Sequence, residues 1–588
     1  MTRRYFEQEM QYLQEAAQAF ADAHPDQAEH LDVDSVSDRD PYVERLFEGF
    51  AFLAGRVHQR LDNEMPEYTE SLFQLLHPHF LKPIPALSIV EFDPNPGLVQ
   101  ETTVLDRGTE VRSEPVGEPA LECRFRTTQQ VRLQPLRLAD ASLQYPGDDT
   151  SRLRLQFALE SGSDLAGLEL DPLRLYFQAE PATASTMRLF CSRYTSHVTM
   201  KAGRGSTAAL RGNQWVQPAG LTPEESLLPG APTAYSGFRL LQEYFCFRRK
   251  FWFVDLLGFE RVEVPADAER LEVAVHFDRA YPEARRITTE NVRLYCTPVV
   301  NLFDQDAEPI RVTGEAEEHR VVPSARHPTG IQTYDVQGVT GLEEATGVRH
   351  DYRPFFSFEH GAPAAADGET DRRYRTSRRT GPDGRPAVYL SFSDAQLRGL
   401  ADVPAETITP SLRCTNGTRP REALTEGMIN RLAPDVPDVA TPRNLTQPTL
   451  LRPPPSKEQD DYFWKLISHW ALNYTSVADT DALGAILQLY DWVDDAANRQ
   501  RRASLQQVSW APKEVLDQGA VLRGSEVTLS VEEDQFADAG DLCLFGQVMN
   551  RFLSTYATIN SFVDLTITTI PSERTFEWTT HRGHRPNL

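Results

Sequence analysis

The residues with the best claim to chemistry are few and poorly grouped. His77 and His79 flank Pro78, a spacing at which two imidazoles can share a metal. Three ligands are the usual minimum, and Asp, Glu or Cys partners are missing nearby, so packing at a helix exit is the better reading. His319 and His327 are equally isolated. Asp32, Asp34, Asp38 and Asp40 invite comparison with a calcium loop, but Val36 falls where an oxygen ligand is needed and no glycine stands at the turn. Asp460–Asp461 and Asp494–Asp495 are adjacent pairs. Neighbouring side chains on a helix diverge, which makes both poor candidates for paired acid–base work. The glycines of Lys201-Ala202-Gly203-Arg204-Gly205-Ser206-Thr207 lack the Gly-Lys-Ser/Thr end that reaches phosphate and magnesium, and the segment reads as a surface turn. The sequence contains no HExxH helix, GxSxG elbow or strand followed by GxGxxG. No cofactor or metal site is expected.

Composition narrows the remaining classes. Sixty Lys and Arg against 85 Asp and Glu leave a formal charge of −25 over 588 residues. That charge repels a phosphate backbone and an anionic membrane surface, which argues against nucleic-acid binding and membrane attraction. No apolar run approaches a membrane span, and Met1-Thr2-Arg3-Arg4-Tyr5-Phe6-Glu7 lacks the apolar core of a signal peptide. Cys123, Cys191, Cys246, Cys296, Cys414 and Cys543 are scattered singly, as buried thiols of a reducing compartment are. Asn416, Asn444 and Asn473 each open an N-x-Thr triplet, which has no meaning in a cytoplasmic protein.

The elements that would position these side chains are legible from periodicity. Phe6, Met10, Leu13, Ala17 and Phe20 mark one amphipathic helix. Asp40 and Pro41 read as N-cap and first residue of a second, in which Val43, Leu46, Phe47, Phe50, Leu53, Val57 and Leu61 recur at three- and four-residue steps. A short helix from Pro66, the breakers Pro78, Pro83 and Pro85, and a strand over Ser88–Phe92 follow. Leu153, Leu155, Phe157 and Leu159 alternate with polar neighbours as in a half-solvated antiparallel strand. Further strands are predicted at Arg124–Thr128, Leu173–Gln178, Arg270–Phe277 and Val292–Thr297. Seven prolines between Pro434 and Lys457 suggest a stiff linker. Beyond it, helices are predicted at Asp460–Asn473, Ala482–Trp492 and Leu544–Ile559, and strands at Leu505–Trp510, Glu526–Val531 and Phe562–Ile570.

The fold class is therefore α+β and multidomain: a helical N-terminal region (1–87), mainly antiparallel β domains (88–300 and 301–433), a linker (434–457) and an α+β C-terminal domain (458–588). Two segments offer contact surfaces. In Tyr235–Gly258, Phe245, Phe247, Phe251 and Phe253 alternate around Arg248-Arg249-Lys250, which fits a hairpin with one aromatic face buried, in the core or against a partner. Gly361–Pro386 is low in apolar residues and carries Arg372, Arg373, Arg375, Arg378, Arg379 and Arg385, and it reads as an exposed, basic loop.

Several blocks resemble one known family. Asp40-Pro41, Val43–Leu46, Gly49–Leu53, Leu61-Asp62, Pro66-Glu67, Pro78-His79 and Pro83-Ile84-Pro85 are similar to the start of the TssF family (also called ImpG or VasA) of the bacterial type VI secretion baseplate. Leu240–Phe245, Thr297–Ile310, Arg320–Pro323, Tyr334–Val336, Cys414-Thr415-Asn416, Trp464–His469 and Phe545 to Phe562 continue the resemblance in collinear order. Gly417-Thr418-Arg419-Pro420 departs from the family pattern.

The resemblance implies a structural, non-enzymatic part of a contractile injection machine for protein secretion. Two copies would embrace one TssG to form a wedge that TssK and TssE join, and six wedges would surround the VgrG spike. The place of assembly would be the cytoplasmic face of the inner membrane, reached through the secretion complex. Val43, Leu46, Phe47, Phe50, Leu53, Phe245, Phe247, Phe251, Phe253, Trp464 and Phe562 are the candidate packing or protein–protein interaction residues. The rival readings are a wedge protein of another contractile particle and a β-sandwich enzyme acting on glycan, which needs two carboxylates across a cleft.

Overall fold

The computed structural model describes residues 10, 12–13, 45–54, 73–74, 78–230, 236–313, 316–356, 372–381, 385–394, 405–455, 466, 479–517, 520–557 and 561–582. The chain divides into two compact units, Met1–Leu81 and Lys82–Leu588. In the first, residues 45–54 are helical, as the three- and four-residue apolar spacing dictates. Its last turn, the 3₁₀ helix Pro78–Leu81, buries His79 and Phe80, and Phe73 meets Phe80 edge-on at 6.4 Å.

The second unit is built on sheets. A six-stranded antiparallel sheet runs in the order Ile429–Leu432, Glu110–Val116, Leu121–Thr127, Cys296–Val300, Leu87–Pro94, Ala440–Asn444. A five-stranded sheet follows the order Ala208–Arg211, Thr195–Ala202, Arg270–Phe277, Thr150–Leu159, Leu136–Gly147. These two and a four-stranded sheet (Val216–Pro218, Phe253–Leu256, Leu173–Phe177, Val292–Arg293) share one continuous apolar core. An eight-stranded sheet around Gln332–Glu343 and Glu406–Thr415 has its own core of Phe303, Ile310, Tyr352, Leu390, Ile408 and Leu412. In the last sheet, Leu505–Asp517 and Ala520–Glu532 form a long hairpin, and Ala520–Glu532 pairs in parallel with Phe562–Ile570. The helix Ala539–Ser554 supplies the connection that a parallel pair requires.

The α+β class and most predicted strands are found in place. Leu153, Leu155 and Phe157 are 1, 0 and 1% exposed, so the period-two reading of that strand holds. The helices Thr480–Tyr490 and Ala539–Ser554 lie where helices are predicted, whereas Asp460–Asn473 falls almost wholly outside the described residues. The strand predicted at Val292–Thr297 is interrupted: Val292–Arg293 and Cys296–Val300 join different sheets, and Tyr295 turns between them at φ 53°.

Three expectations are corrected. Tyr235–Gly258 is not a hairpin: Ser236–Cys246 is a helix, followed by the 3₁₀ turn Arg248–Phe251 and the strand Phe253–Leu256. Phe238, Leu241 and Phe245 already carry the helical spacing and are buried. The alternation of Phe245, Phe247, Phe251 and Phe253 spans three different elements. The arginine-rich segment is not a loop where it is described, because Arg372–Thr380 pairs along its length with Pro386–Asp394. The proline-rich stretch is not simply a linker either. Ala440–Asn444 is an edge strand on Leu87–Pro94, a position where a proline's missing N–H costs no ladder bond.

Candidate assembly surface and buried polar joints

The described residues hold no cluster of three or more His, Cys, Asp or Glu able to bind a metal. All six cysteines are free; burial pushes Cys123 up to about 11 and Cys191 and Cys414 up to about 12, so these are inert thiols. Asp495 caps the helix Ala496–Ala503, accepting from the Asn498 N–H at 2.7 Å, while Asp494 pairs with Arg499 at 3.3 Å and with Arg502. Gly203 makes a turn at φ 49°, and Ser206 donates to Glu263 at 2.6 Å, so this segment is a turn, as expected. His77, Asp460 and Asp461 lie outside the described residues. A cleft of about 340 Å³ contains Glu91, Asp93 and Glu160, but Glu91 is taken up by Arg443 at 2.6 Å and Arg293 at 3.7 Å.

Buried polar groups instead act as joints between elements. Glu243 and Lys250 form an ion pair in which each side chain is 1% exposed. The same carboxylate accepts from the Ser226 hydroxyl at 2.6 Å and from the N–H groups of Leu227 and Leu228 at 2.9 and 3.1 Å. Arg501 holds Asp541 through contacts of 2.7 and 2.9 Å. Asp538 caps the helix Ala539–Ser554 and also accepts from Arg285 at 2.5 Å and Thr186 at 3.1 Å on the helix Pro181–Arg193 side. Asn498 donates to the Phe245 carbonyl at 3.0 Å. Arg501 and Asp541 join the helices Ala496–Ala503 and Ala539–Ser554, and Asp538 and Asn498 tie these to the helices Pro181–Arg193 and Ser236–Cys246. Such buried bonds between elements give rigidity.

The arginine strand is used the same way. Arg372 pairs with the buried Glu406, which also accepts from Tyr352 at 2.8 Å. Arg378 donates to the Tyr334 carbonyl, and Arg379 pairs with Glu318 and covers the Tyr389 ring at 4.0 Å.

The exposed apolar side chains lie elsewhere. On the N-terminal helix, Leu46, Phe50 and Leu53 are 72, 60 and 63% exposed, and Phe47 is half-buried. Of the two roles expected for this face, packing or partner contact, the exposure of those three side chains suits the second; Val43 lies outside the described residues. Phe245, Phe247, Phe251, Phe253 and Phe562 are all buried and serve the core, and Trp464 is not among the described residues.

A family model described as "Type VI secretion system, TssF" matches residues 1–585. The chain belongs to the TssF family. It is 30% identical to the type VI secretion system component TssF1 of Pseudomonas aeruginosa PAO1, across 99% of each chain. It is also similar, at 32% identity and a TM-score of 0.79, to a chain in the TssK–TssF–TssG baseplate subcomplex solved by cryo-electron microscopy, covering 93% of this chain and 99% of that one. A chain of a type VI baseplate complex matches end to end at 32% identity and a TM-score of 0.65.

The blocks that carry the TssF resemblance have structural work in this fold. Asn301 and Asn416, from two separate blocks, bond to each other at 2.8 Å. Leu240–Phe245 supplies Glu243 to the buried ion pair. Gly417–Pro420, where the pattern departs, places Gly417 at φ 64° and lets Arg419 donate to the carbonyls of Val116 and Pro119 at 2.9 and 2.7 Å. Periodicity alone does not single out the two asparagines, because they lie 115 residues apart, or Glu243, because its polar side chain sits on a mostly apolar helix.

Proposed function

We propose that this chain is a structural wedge component of a type VI secretion baseplate, pairing as two copies with one TssG, and that its role is assembly, not catalysis. TssK, TssE and the VgrG spike hub are the further partners in this reading, and the cytoplasmic face of the inner membrane is the site of assembly. Collinear similarity to TssF-family chains over the whole length carries the proposal. The exposed Leu46, Phe50 and Leu53 support it, since an apolar helix face left open in one chain suits a helix partner in another. The N-terminal region 1–87 is read as the partner-binding part and the sheets as the platform. No helix among the described residues is long and apolar enough to cross a membrane.

Native mass spectrometry of the chain co-expressed with TssG tests the stoichiometry. A two-to-one mass is expected; a one-to-one complex, or none, overturns it. Hydrolysis of peptidoglycan by the purified chain would overturn the non-catalytic role.

A further inference from the structure

The five-stranded sheet buries Leu153, Leu155, Phe157, Val273, Val275 and Val198 on one face. Strand register sets a single row across the other. Gln144 stands opposite Arg152, Arg152 opposite His276, His276 opposite His197, and His197 opposite Arg211. Directly opposed residues share a face, so these five side chains form a line running across four strand boundaries.

The row is organised. Arg152 Nε donates to Gln144 Oε1 at 2.7 Å. The imidazoles of His197 and His276 stack with centroids 4.1 Å apart and planes within 10°. His276 Nε2 is hydrogen-bonded to the Thr199 hydroxyl at 3.0 Å and His197 Nδ1 to the Ser196 hydroxyl at 3.0 Å, which fixes both rings. Among the described residues, no carboxylate is in ion-pair contact with Arg152 or Arg211, although Glu272 acts on Arg152 through space. Asp140 and Glu272 face the same way two rows along, and Glu272 is occupied by Arg154 at 2.5 Å and Gln156 at 3.3 Å. Burial holds His276 down to about 4, with His197 and Arg152 adding to the effect, as a ring in a positive field behaves.

In a chain of net charge −25, two arginines set at the ends of an ordered pair of imidazoles, neither in an ion pair with a described carboxylate, are an unusual local feature. Arg152 and Arg211 are three strand spacings apart, about 14 Å. Residues i and i+4 of an extended segment lie about 13–14 Å apart on one face, so two of its carboxylates can meet both guanidinium groups together. We infer that the row Arg152–His276–His197–Arg211 is a docking site for a carboxylate-rich extended segment of a protein partner, laid across the strands. This goes beyond the baseplate reading and does not depend on it.

Fluorescence anisotropy of a labelled hexaglutamate peptide against the full-length chain at low ionic strength tests the site. Saturable binding is expected, weakened about tenfold or more in R152Q/R211Q, restored in R152K/R211K and unchanged by R523Q on a distant hairpin. Circular dichroism of each variant checks that the sheet is intact. Absence of saturable binding, equal binding by R152Q/R211Q, or tighter binding of a charge-matched single-stranded oligonucleotide would overturn the inference.

Discussion

Asn301 Nδ2 donates to Asn416 Oδ1 at 2.8 Å, joining two strand ends 115 residues apart in a buried amide pair. Asn301 Oδ1 also accepts from the Thr415 hydroxyl at 2.7 Å and the Asn416 N–H at 2.8 Å, and Asn301 Nδ2 donates to the Arg124 carbonyl at 2.7 Å. The joint locks the six-stranded and eight-stranded sheets at one corner. Asn301→Ala would orphan several of these groups at once and should cost about 3 kcal/mol. Urea denaturation should show the lower midpoint; an unchanged midpoint would mean that water replaces the amide.

Lys250→Met leaves the Glu243 carboxylate buried without its cation and should destabilise by about 3–5 kcal/mol. Adding Glu243→Gln to Lys250→Met should recover part of the loss, since a neutral amide oxygen still accepts from Leu227 and Leu228. Chemical denaturation of the two variants decides the matter, and a double variant no better than the single refutes it.

The stability of the folded chain should fall between pH 6.5 and about 4 through His276. An unfolded chain takes up a proton at its ordinary value of 6.5, whereas the folded chain refuses it until about 4. The unfolded state therefore binds more protons in this window, so this contribution is present above it and lost as pH falls through it. His276→Gln should flatten the pH dependence of the urea midpoint, and identical slopes would argue against the assignment.

A Cβ added at Gly540 would lie 2.3 Å from the Ser185 carbonyl oxygen and 2.8 Å from the Thr186 nitrogen, both backbone atoms. The helices Pro181–Arg193 and Ala539–Ser554 thus approach as closely as glycine allows. Gly540→Ala should cost about 1–3 kcal/mol and loosen the C-terminal part, read as faster limited proteolysis there.

Phe50→Asp should leave the thermal midpoint of the isolated chain nearly unchanged, because Phe50 is 60% exposed. The same substitution should abolish co-purification with TssG if this face is the partner contact. Retained co-purification would remove the helix from the proposed interface.

Local periodicity was enough to identify the N-terminal helix, the alternating strand around Leu155 and the C-terminal helix Ala539–Ser554. Those elements follow from which face of a short segment is apolar, and neighbours in sequence decide that. The composition likewise set the acidic, cysteine-poor character, and the collinear blocks indicated the family. Tertiary structure alone decided the rest. Phe245 and Phe253 look like one alternating surface in sequence but enter the core from a helix and a strand, because burial depends on what packs opposite. The arginines from Arg372 to Arg379 look like an open basic patch until Glu406, Glu318 and the Tyr334 carbonyl arrive from other strands. Conversely, Arg152, His276, His197 and Arg211 are scattered in sequence and become one line only through strand register. Charge pairing and charge alignment are both long-range facts, set by hydrogen-bonded register between strands that lie far apart along the chain.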